Sequence, residues 1–464
     1  MIKDLPVDVG LIYEGERIRK NITFADLGGP KSRGGELFRV ADAKKIKDGE
    51  VKVLGPDIPE MKKGKAYPFG VLVEAAGKTL EEDLEGVFER RIHYFMNYIQ
   101  GFMHLNSRDT IWCRVSKDSA KKGVTLKHVG LAAMHLFKSE FDTIEKMRIT
   151  FATGDKEVDE FLAKAREVYG KRDARLRGLK DDDVDVFYGC ALCQSFAPQH
   201  LCTITPSRTS SCGSISWFEG RAAAKVDPNG PIFAIEKGEL LDELKGEYAG
   251  PNKATEDKSN GTVKRIFLHS LFDHPHTSCG CFEAIAFYMP DVDGVGVVSR
   301  SFNGTTPFGI PFSTMAGQVG GGVQSNGFAG IAVEYLRSPK YLQADGGWDR
   351  TVWLPKELKE RIGDDIPEQM RDNIATEEDA TDLESLKKFL KQNGHPVVER
   401  WGAEAEAEAV GAPAVGDAGT KPVAEVPELQ FQGVPLGGGG VTIIFKNAKI
   451  YAEKVIIKRK EKGR

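Results

Sequence analysis

The sequence has no large excess of either charge, few cysteines and no long hydrophobic run. Its 464 residues carry 64 Lys and Arg against 68 Asp and Glu, so the net charge is −4. This balance excludes the basic surplus typical of proteins that bind nucleic acid or anionic membranes. Seven cysteines, an odd number in so long a chain, argue against a disulfide framework and favour metal or redox chemistry.

Signals for secretion or membrane insertion are also missing. Residues 1–6, MIKDLP, lack the basic start, apolar run and cleavage site of a secretory signal. The uncharged stretch at residues 301–333 is long enough to raise the question of a membrane span, but Gly, Ser, Thr, Asn and Gln fill it. The sequence therefore predicts a cytoplasmic protein that binds neither a membrane nor nucleic acid.

Short β-rich runs and amphipathic helical patterns alternate along the chain, which predicts a mixed α/β (α+β) fold. The runs at residues 51–54, 69–73 and 110–115 predict strands. Over residues 81–105, apolar side chains recur at spacings of three, four and seven, which predicts one long helix. Further helical patterns lie at residues 156–169, 355–362 and 385–391.

Shifts in composition predict two globular domains, a flexible linker and a short β-rich tail. The first domain covers residues 1–165, and the dense charge of residues 171–185 predicts a solvated connector or an exposed helix start near the boundary. The second domain, residues 166–400, holds six of the seven cysteines and is interpreted as the catalytic one. Ala, Glu, Pro and Gly dominate the linker at 401–433. The basic tail at 434–464 is interpreted as a docking element.

Four cysteines lie within 23 residues and follow the pattern C-x2-C-x8-C-x9-C: Cys190, Cys193, Cys202 and Cys212. So many soft thiolates in a short segment indicate a metal centre. A structural zinc site usually shows two short C-x2-C knuckles, whereas only one such pair is present here. An iron-sulfur cluster of the [4Fe-4S] type accepts wider spacing. Iron-sulfur is therefore favoured, and zinc stays open as an alternative.

The remaining pair, Cys279 and Cys281, is separated by Gly280 alone. Two thiolates at this spacing close a tight chelate with the backbone nitrogens of Gly280 and Cys281, a planar set of two nitrogens and two sulfurs. Tetragonal ligation of this kind favours Ni(II) or Cu(II) over tetrahedral zinc, and a central glycine removes the Cβ that would crowd the backbone. Cys113, isolated in the first domain, is interpreted as a buried structural thiol.

These motifs resemble the acetyl-CoA synthase family, in particular the β subunits of the archaeal acetyl-CoA decarbonylase/synthase complex. The resemblance is carried by CALCQSFAP at 190–198, ITP at 204–206, Cys212-Gly213 and TSCGCFE at 277–283. It extends from near residue 1 to about residue 400. All six cysteine positions of the two motifs fit.

The resemblance implies a Ni-Ni-[4Fe-4S] centre. Cys190, Cys193, Cys202 and Cys212 would hold the [4Fe-4S] cluster, with Cys193 bridging to a proximal nickel. Cys279 and Cys281 would bridge that nickel to a distal nickel, whose ligand set is completed by the amide nitrogens of Gly280 and Cys281. Phe196 of the CQSF motif would shape the open face of the proximal nickel, and ordinary core packing is its alternative role. Cys193, Cys279, Cys281 and Phe196 are the implied catalytic residues.

The resemblance also implies an acyltransferase that joins CO, a methyl group and CoA to acetyl-CoA, reversibly. The implied partners are carbon monoxide dehydrogenase subunits and a methylated corrinoid iron-sulfur protein, in a multi-subunit complex of methanogenesis or carbon fixation. The alternative function is an electron-transfer subunit with one [4Fe-4S] cluster and no nickel, for which the Cys-Gly-Cys pair has no use. A zinc-stapled assembly subunit is the third hypothesis.

Coenzyme A carries phosphates and an adenine, so its binding surface needs Arg side chains and an aromatic plane. The resemblance assigns this task to the first domain. The candidates lie on and just after the long predicted helix: Arg90, Arg91, Arg108, Trp112 and Arg114. The alternative interpretation is a set of solvated helix charges and one core tryptophan.

Two further groups lie close to the cysteines in sequence. His269, His274 and His276 precede Cys279 and are interpreted as residues around the metal rather than as ligands. The glycines at 317 and 320–322 match neither the P-loop nor the dinucleotide-binding pattern. They predict tight turns near the metal site.

Overall fold

The structure is a computed structural model that describes residues 5–13, 17–108 and 110–401. All of these described residues belong to one compact unit. The predicted boundary near residue 165 therefore stays a prediction. The predicted linker, from residue 402 onward, and the predicted tail lie outside the described residues.

Two four-stranded sheets form the described part of the N-terminal half. One has the strand order β4-β1-β7-β6, and the other has the order β2-β5-β8-β3. The strands are β1 (Thr23–Gly28), β2 (Gly34–Val40), β3 (Glu50–Leu54), β4 (Ala66–Tyr67), β5 (Phe69–Ala76), β6 (Phe102–Ser107), β7 (Thr110–Ser116) and β8 (Lys146–Ala152). The helices are α1 (Glu85–Asn97), α2 (Lys117–Lys121), α3 (Leu126–Glu140) and α4 (Asp155–Ala174).

Three sheets follow in the described C-terminal half, with strand orders β10-β9-β11, β12-β13 and β16-β14-β15-β17. The strands are β9 (Val186–Cys190), β10 (Cys202–Ile204), β11 (Ile232–Glu236), β12 (Leu240–Asp242), β13 (Glu247–Tyr248), β14 (Ala284–Met289), β15 (Gly294–Ser299), β16 (Phe328–Ile331) and β17 (Thr351–Trp353). The helices are α5 (Trp217–Val226), α6 (Ala249–Lys258), α7 (Phe312–Val319), α8 (Lys356–Ile362) and α9 (Leu383–Gln392). The prediction of a mixed α/β fold is confirmed.

The predicted strands at 51–54, 69–73 and 110–115 are confirmed as β3, β5 and β7, and the three shorter predicted helices as α4, α8 and α9. The predicted helix over 81–105 is wrong in its second half, because α1 ends at Asn97 and Phe102 begins β6. The Asn97 side chain accepts a hydrogen bond from the backbone N–H of His104 and donates one to its carbonyl oxygen. Together with Gly101, whose φ is +74°, these bonds fix a turn that apolar spacing does not reveal.

The prediction of a solvated connector at 171–185 is wrong in part. Nine of these fifteen residues are exposed, but helix α4 continues to Ala174 and several charges of the segment meet buried partners. Arg172 pairs with Glu85 at 2.7 Å, Asp173 pairs with Arg108, and Asp181 is fully buried. A dense run of charge therefore forms an internal network here, because the opposite charges come from distant parts of the chain.

The apolar core of the N-terminal half extends into the cysteine-bearing strands. Phe38, Phe88 and Phe95 belong to one buried cluster that also includes Cys190 and Cys202 of β9 and β10. Helix α1 packs in this cluster and directs the side chain of Arg90 toward Cys193 and Cys281 of the second half. Among the described residues, no helix combines the length and the apolar character that crossing a membrane requires.

Candidate metal centre

Three cysteine sulfurs from distant parts of the sequence converge at one buried point. The Sγ atoms of Cys193, Cys279 and Cys281 all lie within 4.8 Å of one another. Cys193 belongs to a short 3-10 turn, Leu192–Ser195, just after β9, and the other two lie in the loop before β14. Ala197 and the ring of Phe196 pack beside them. Three close, buried thiols form a soft donor set that suits nickel, copper or iron-sulfur chemistry.

The Cys-Gly-Cys loop folds back on itself. The backbone N–H of Cys281 points at the Sγ of Cys279, 3.2 Å away. Gly280 has φ +129°, a conformation that side-chain-bearing residues rarely adopt. The loop therefore places a backbone nitrogen and a sulfur on the same side, which is the arrangement that a chelate of two nitrogens and two sulfurs requires.

The other three cysteines of the C-x2-C-x8-C-x9-C motif lie next to this point. Cys190 and Cys202 are direct partners across the antiparallel β9–β10 pair. Burial, together with the neighbouring Cys202, Cys193 and Cys212, raises the pKa of Cys190. The six motif cysteines are thus gathered in one region, and all are buried. Cys113 is buried separately in β7, as predicted.

A histidine that the sequence analysis missed contacts one of these cysteines. His200 places Nε2 3.0 Å from the Sγ of Cys202, and its Nδ1 lies 3.0 Å from the hydroxyl of Thr277. Although burial alone would raise the pKa of Cys202, the contact with His200 brings it to about 7. The signal in the sequence was the His-x-Cys spacing within the cysteine motif.

Arg90 lies at the sulfurs rather than at a surface. Its Nη2 is 3.0 Å from the Sγ of Cys281 and 3.5 Å from that of Cys193, and the residue is 1% exposed. Hydrogen bonds from the Cys193 and Cys279 thiols lower the pKa of Cys281, and the Arg90 charge lowers it further. Arg90, a candidate for CoA binding in the sequence, is therefore buried at the cysteine sulfurs, because the face of α1 that carries it points into the protein.

The remaining CoA candidates fall into two sets. Arg91 pairs with Glu140 over the rings of Tyr94 and Phe95, and Arg108 is buried against Asp173. Trp112 and Arg114, in contrast, meet at Asp26. The indole N–H and the Arg114 Nε lie 3.0 and 2.9 Å from the same carboxylate oxygen.

Trp112 and Arg114 line a surface cavity of about 170 Å³ together with Lys20 and Lys31. The guanidinium of Arg114 lies 4.1 Å from the centre of the indole ring. The carboxylate of Asp26 also lines this cavity and pairs with Arg114, and the two lysines add the positive charge that suits a nucleotide phosphate. Of the five CoA candidates, these two are brought together at a surface opening.

Phe196 stands between the sulfurs and the N-terminal half. Its ring stacks on Tyr94, with centroids 5.7 Å apart, and meets the edge of His93 at 5.6 Å. Behind it, His93 Nδ1 lies 3.3 Å from His104 Nδ1, and His104 Nε2 lies 2.8 Å from the buried carboxylate of Glu36. Burial, and then the Arg90 charge, lower the pKa of His93, so this ring stays neutral.

Of the predicted glycine turns, those at Gly321 and Gly322 are confirmed beside the Cys-Gly-Cys loop, whereas Gly317 lies within helix α7. Gly321 and Gly322 have φ +90° and +83°, and their N–H groups donate to the carbonyl oxygens of Cys279 and Ser278 at 3.0 and 2.9 Å. A Cβ on Gly322 would lie 2.9 Å from the backbone nitrogen of His200. This turn therefore joins the Cys-Gly-Cys loop to the first cysteine segment.

Two of the three histidines singled out in the sequence, His276 and His269, bond to residues around the cysteine loops rather than to the cysteines. His276 Nε2 accepts from the backbone N–H of Thr203, at 3.0 Å, and its Nδ1 donates to the carbonyl of Thr277. His269 faces Asp181 at 3.6 Å. His274 contacts the ring of Phe267. These contacts hold the loop in place and involve no sulfur.

Comparison with known proteins matches both halves of the chain. Residues 5–158 match the family model described as CO dehydrogenase/acetyl-CoA synthase complex beta subunit, and residues 169–401 match the model for the C-terminal part of the ACS/CODH beta subunit. Proteins of Methanopyrus kandleri and Methanothermobacter thermautotrophicus, both named acetyl-CoA decarbonylase/synthase complex subunit beta, are 55% and 54% identical over 99% of this chain. They are covered over 98% and 100% of their own lengths. The chain belongs to this family of beta subunits.

Membership of the beta-subunit family confirms the resemblance inferred from the cysteine motifs. A further relative from Methanocaldococcus jannaschii, named acetyl-CoA decarbonylase/synthase complex subunit beta 2, is 53% identical over 98% of this chain. All six motif cysteines fall within the C-terminal family match, whereas Arg90, Phe95 and Trp112 fall within the N-terminal one. The candidate metal centre therefore combines residues of both matched segments.

Proposed function

We propose that this beta subunit is an acyltransferase that makes and cleaves acetyl-CoA at a Ni-Ni-[4Fe-4S] centre. The observation that carries the proposal is the convergence of Cys193, Cys279 and Cys281 within 4.8 Å, beside the remaining motif cysteines. The relatives are named as subunits of an acetyl-CoA decarbonylase/synthase complex, which supports a catalytic role for this chain.

The donors present fit such a centre. Cys190, Cys193, Cys202 and Cys212 would hold the [4Fe-4S] cluster, since all four are buried and neighbours. Cys193, Cys279 and Cys281 would hold the proximal nickel through their three converging sulfurs. The sulfurs of Cys279 and Cys281, with the nitrogens of Gly280 and Cys281, would hold the distal nickel. When bound, nickel supplies a soft, electron-rich site at which CO and a methyl group combine.

The surrounding residues have separate tasks in this proposal. Arg90 places a positive charge against the sulfurs and offsets the negative charge of the thiolates. Phe196, stacked on Tyr94, covers the centre and keeps water from it. His200 donates to Cys202 and so favours its deprotonated, metal-binding form.

Coenzyme A is proposed to bind at the cavity lined by Trp112 and Arg114. Its phosphates would meet Lys20, Lys31 and the guanidinium of Arg114, which covers the indole of Trp112 and pairs with Asp26. Arg90, Arg91 and Arg108 do not line this cavity and contact other residues. The CoA site proposed here is therefore smaller than the one predicted from the sequence.

The partners are proposed from the family. The relatives' names describe a multi-subunit complex, and we propose carbon monoxide dehydrogenase subunits and a methylated corrinoid iron-sulfur protein as the sources of CO and of the methyl group. A cytoplasmic location is proposed for the same reason. The basic tail at 434–464 stays a proposed docking element.

An assay of acetyl-CoA formation tests the function directly. The full chain, purified without oxygen and supplied with nickel, is given CO, a methylated corrinoid donor and CoA. Acetyl-CoA that forms with nickel, and not without it, supports the proposal. A chain that holds iron, transfers electrons and forms no acetyl-CoA with nickel present supports the alternative of a [4Fe-4S] electron-transfer subunit.

A further inference from the structure

Both peptide oxygens of the Cys-Gly-Cys loop accept a hydrogen bond from outside the loop. The carbonyl oxygen of Cys279 accepts from the N–H of Gly321 at 3.0 Å. The carbonyl oxygen of Gly280 accepts from Nη2 of Arg300 at 2.7 Å. These oxygens belong to the two peptide units whose nitrogens are those of Gly280 and Cys281. The two nitrogens proposed as ligands of the distal nickel are therefore the ones whose peptide oxygens have donors.

Metal binding at a peptide nitrogen changes the charge of the whole peptide unit. The N–H bond breaks, a nitrogen–metal bond forms and the proton passes to the buffer, with no electron transferred. The resulting negative charge is shared between the nitrogen and the carbonyl oxygen, because the peptide bond is conjugated. A donor at that oxygen stabilises the charge, and a cationic donor does so more strongly than a neutral one.

Arg300 is held in place for this contact. Its Nε and Nη2 donate to the carbonyl oxygen of Phe282 at 3.0 and 2.8 Å, and its guanidinium lies 5.5 and 5.1 Å from the ring centres of Phe282 and Phe312. Arg300 is half-buried between these rings, so its charge acts on the neighbouring peptide with less screening by water than a surface arginine would have. The charge thus lies where a negative peptide would be stabilised.

We infer that Arg300 is a positioning residue for the distal nickel, because its guanidinium stabilises the negative charge of the metal-bound Gly280–Cys281 peptide. Gly321 supplies the weaker, neutral counterpart at the Cys279–Gly280 peptide. The inference rests on the proposed function, since it requires a metal bound through backbone nitrogen. On this inference, Arg300 would not touch the metal, and it would nevertheless strengthen the binding of nickel over metals that leave the peptide protons in place.

The test compares Ni²⁺ binding to the wild type and to Arg300→Gln, in the full chain purified without oxygen. We expect about 10- to 100-fold weaker binding at one nickel site, since a charged hydrogen bond is lost. The absorption of square-planar nickel should fall with it, and the iron content should not change. Arg300→Lys, which retains the charge, should restore part of the affinity. Arg371→Gln is the matched control, because Arg371 also donates to two carbonyl oxygens, those of Ile366 and Asp364.

Zinc separates this effect from a general loss of structure. Zn²⁺ binds thiolates tetrahedrally and does not displace peptide protons, so Arg300→Gln should bind it as tightly as the wild type does. Nickel and zinc affinities that fall together, or a nickel affinity that does not change, would overturn the inference while leaving the proposed function standing. A wild-type chain that takes up no nickel would overturn the proposed function, and the inference with it.

Discussion

The two halves of the chain contribute different kinds of side chain to the candidate metal centre. The C-terminal half supplies the soft sulfur donors, gathered on β9, β10 and the Cys-Gly-Cys loop, and part of their surroundings. The N-terminal half supplies no motif cysteine but adds a wall of cationic, neutral and aromatic side chains from α1: Arg90, His93 and Tyr94. The difference teaches that the donors come from one stretch of sequence, whereas their surroundings come from both.

The largest expected effect is the loss of a ligand from the C-terminal half. Cys281→Ser should lose nickel and essentially all acetyl-CoA formation, because a hydroxyl replaces a soft thiolate shared by both proposed nickel ions. Iron should stay, since Cys281 is not one of the four proposed cluster ligands. Metal analysis together with the acetyl-CoA assay checks both statements. Cys113→Ala is the control and should retain both metals. A Cys281→Ser variant that retains as much nickel as the wild type would contradict the assignment of Cys281 to nickel and of the other cysteine group to iron.

A change in the N-terminal wall should weaken the centre without emptying it. Arg90→Met removes the charge next to Cys281 and Cys193, and we expect about 10- to 100-fold weaker nickel binding, as for residues that support metal ligands. Arg90→Lys should recover part of it, since a single ammonium cannot reproduce the planar guanidinium. Arg91→Met, one residue along α1 and paired with Glu140, is the control. If Arg90→Met and Arg91→Met lose the same amount of nickel affinity, the loss comes from disturbed packing of α1 and not from the charge of Arg90.

The CoA cavity lies in the same half but should affect binding instead of chemistry. Lys31→Ala removes a positive charge from the cavity rim, so the KM for CoA should rise about threefold to tenfold at an unchanged kcat. Dephospho-CoA provides the control, because it lacks one phosphate that the cavity is proposed to hold. If the variant and the wild type differ as much with dephospho-CoA as with CoA, Lys31 does not contact that phosphate.

The smallest expected effect is on stability and concerns Glu89, a buried acidic residue of α1. Burial, aided by Glu36 and opposed by Arg172, raises the pKa of Glu89 from 4.5 to about 7. A carboxyl that binds its proton more tightly when folded contributes full stability below pH 4.5, and this contribution is lost as the pH rises through 7.

Replacing Glu89 by Gln removes that titration. Between pH 5 and pH 8, the free energy of unfolding of the wild type should therefore fall by about 2 kcal/mol relative to Glu89→Gln. Denaturant unfolding at both pH values measures this difference. A difference between wild type and variant that does not depend on pH would show that Glu89 stays ionised in the folded chain.

The same contrast explains what the sequence could predict. The convergence of the cysteines was predictable because four of them lie within 23 residues and two more flank a single glycine, so local spacing already groups them. Arg90 was assigned to CoA because phosphates need arginines, and only the packing of α1 against the second half shows that its side chain is buried at the sulfurs instead. His200 and Arg300 were missed since their roles depend on contacts with Thr277 and Gly280, far from them in sequence or turned toward them by the fold.

The fold shows a similar limit. Alternation and helical spacing predicted β3, β5, β7 and the shorter helices, where one local pattern decides the structure. They failed at residues 98–105, where the contact between Asn97 and His104 ends the helix, and in part at 171–185, where buried partners neutralise some of the charge. Each failure is a tertiary interaction that overrides a local preference.

The metal content of the full-length chain, purified without oxygen and supplied with nickel, tests the central claim most directly. The account predicts about four iron and two nickel per chain, with iron alone remaining in Cys281→Ser. Iron without nickel in the wild type would contradict the proposed catalytic centre and favour an electron-transfer subunit. Zinc without iron would contradict the assignment of the cysteines altogether.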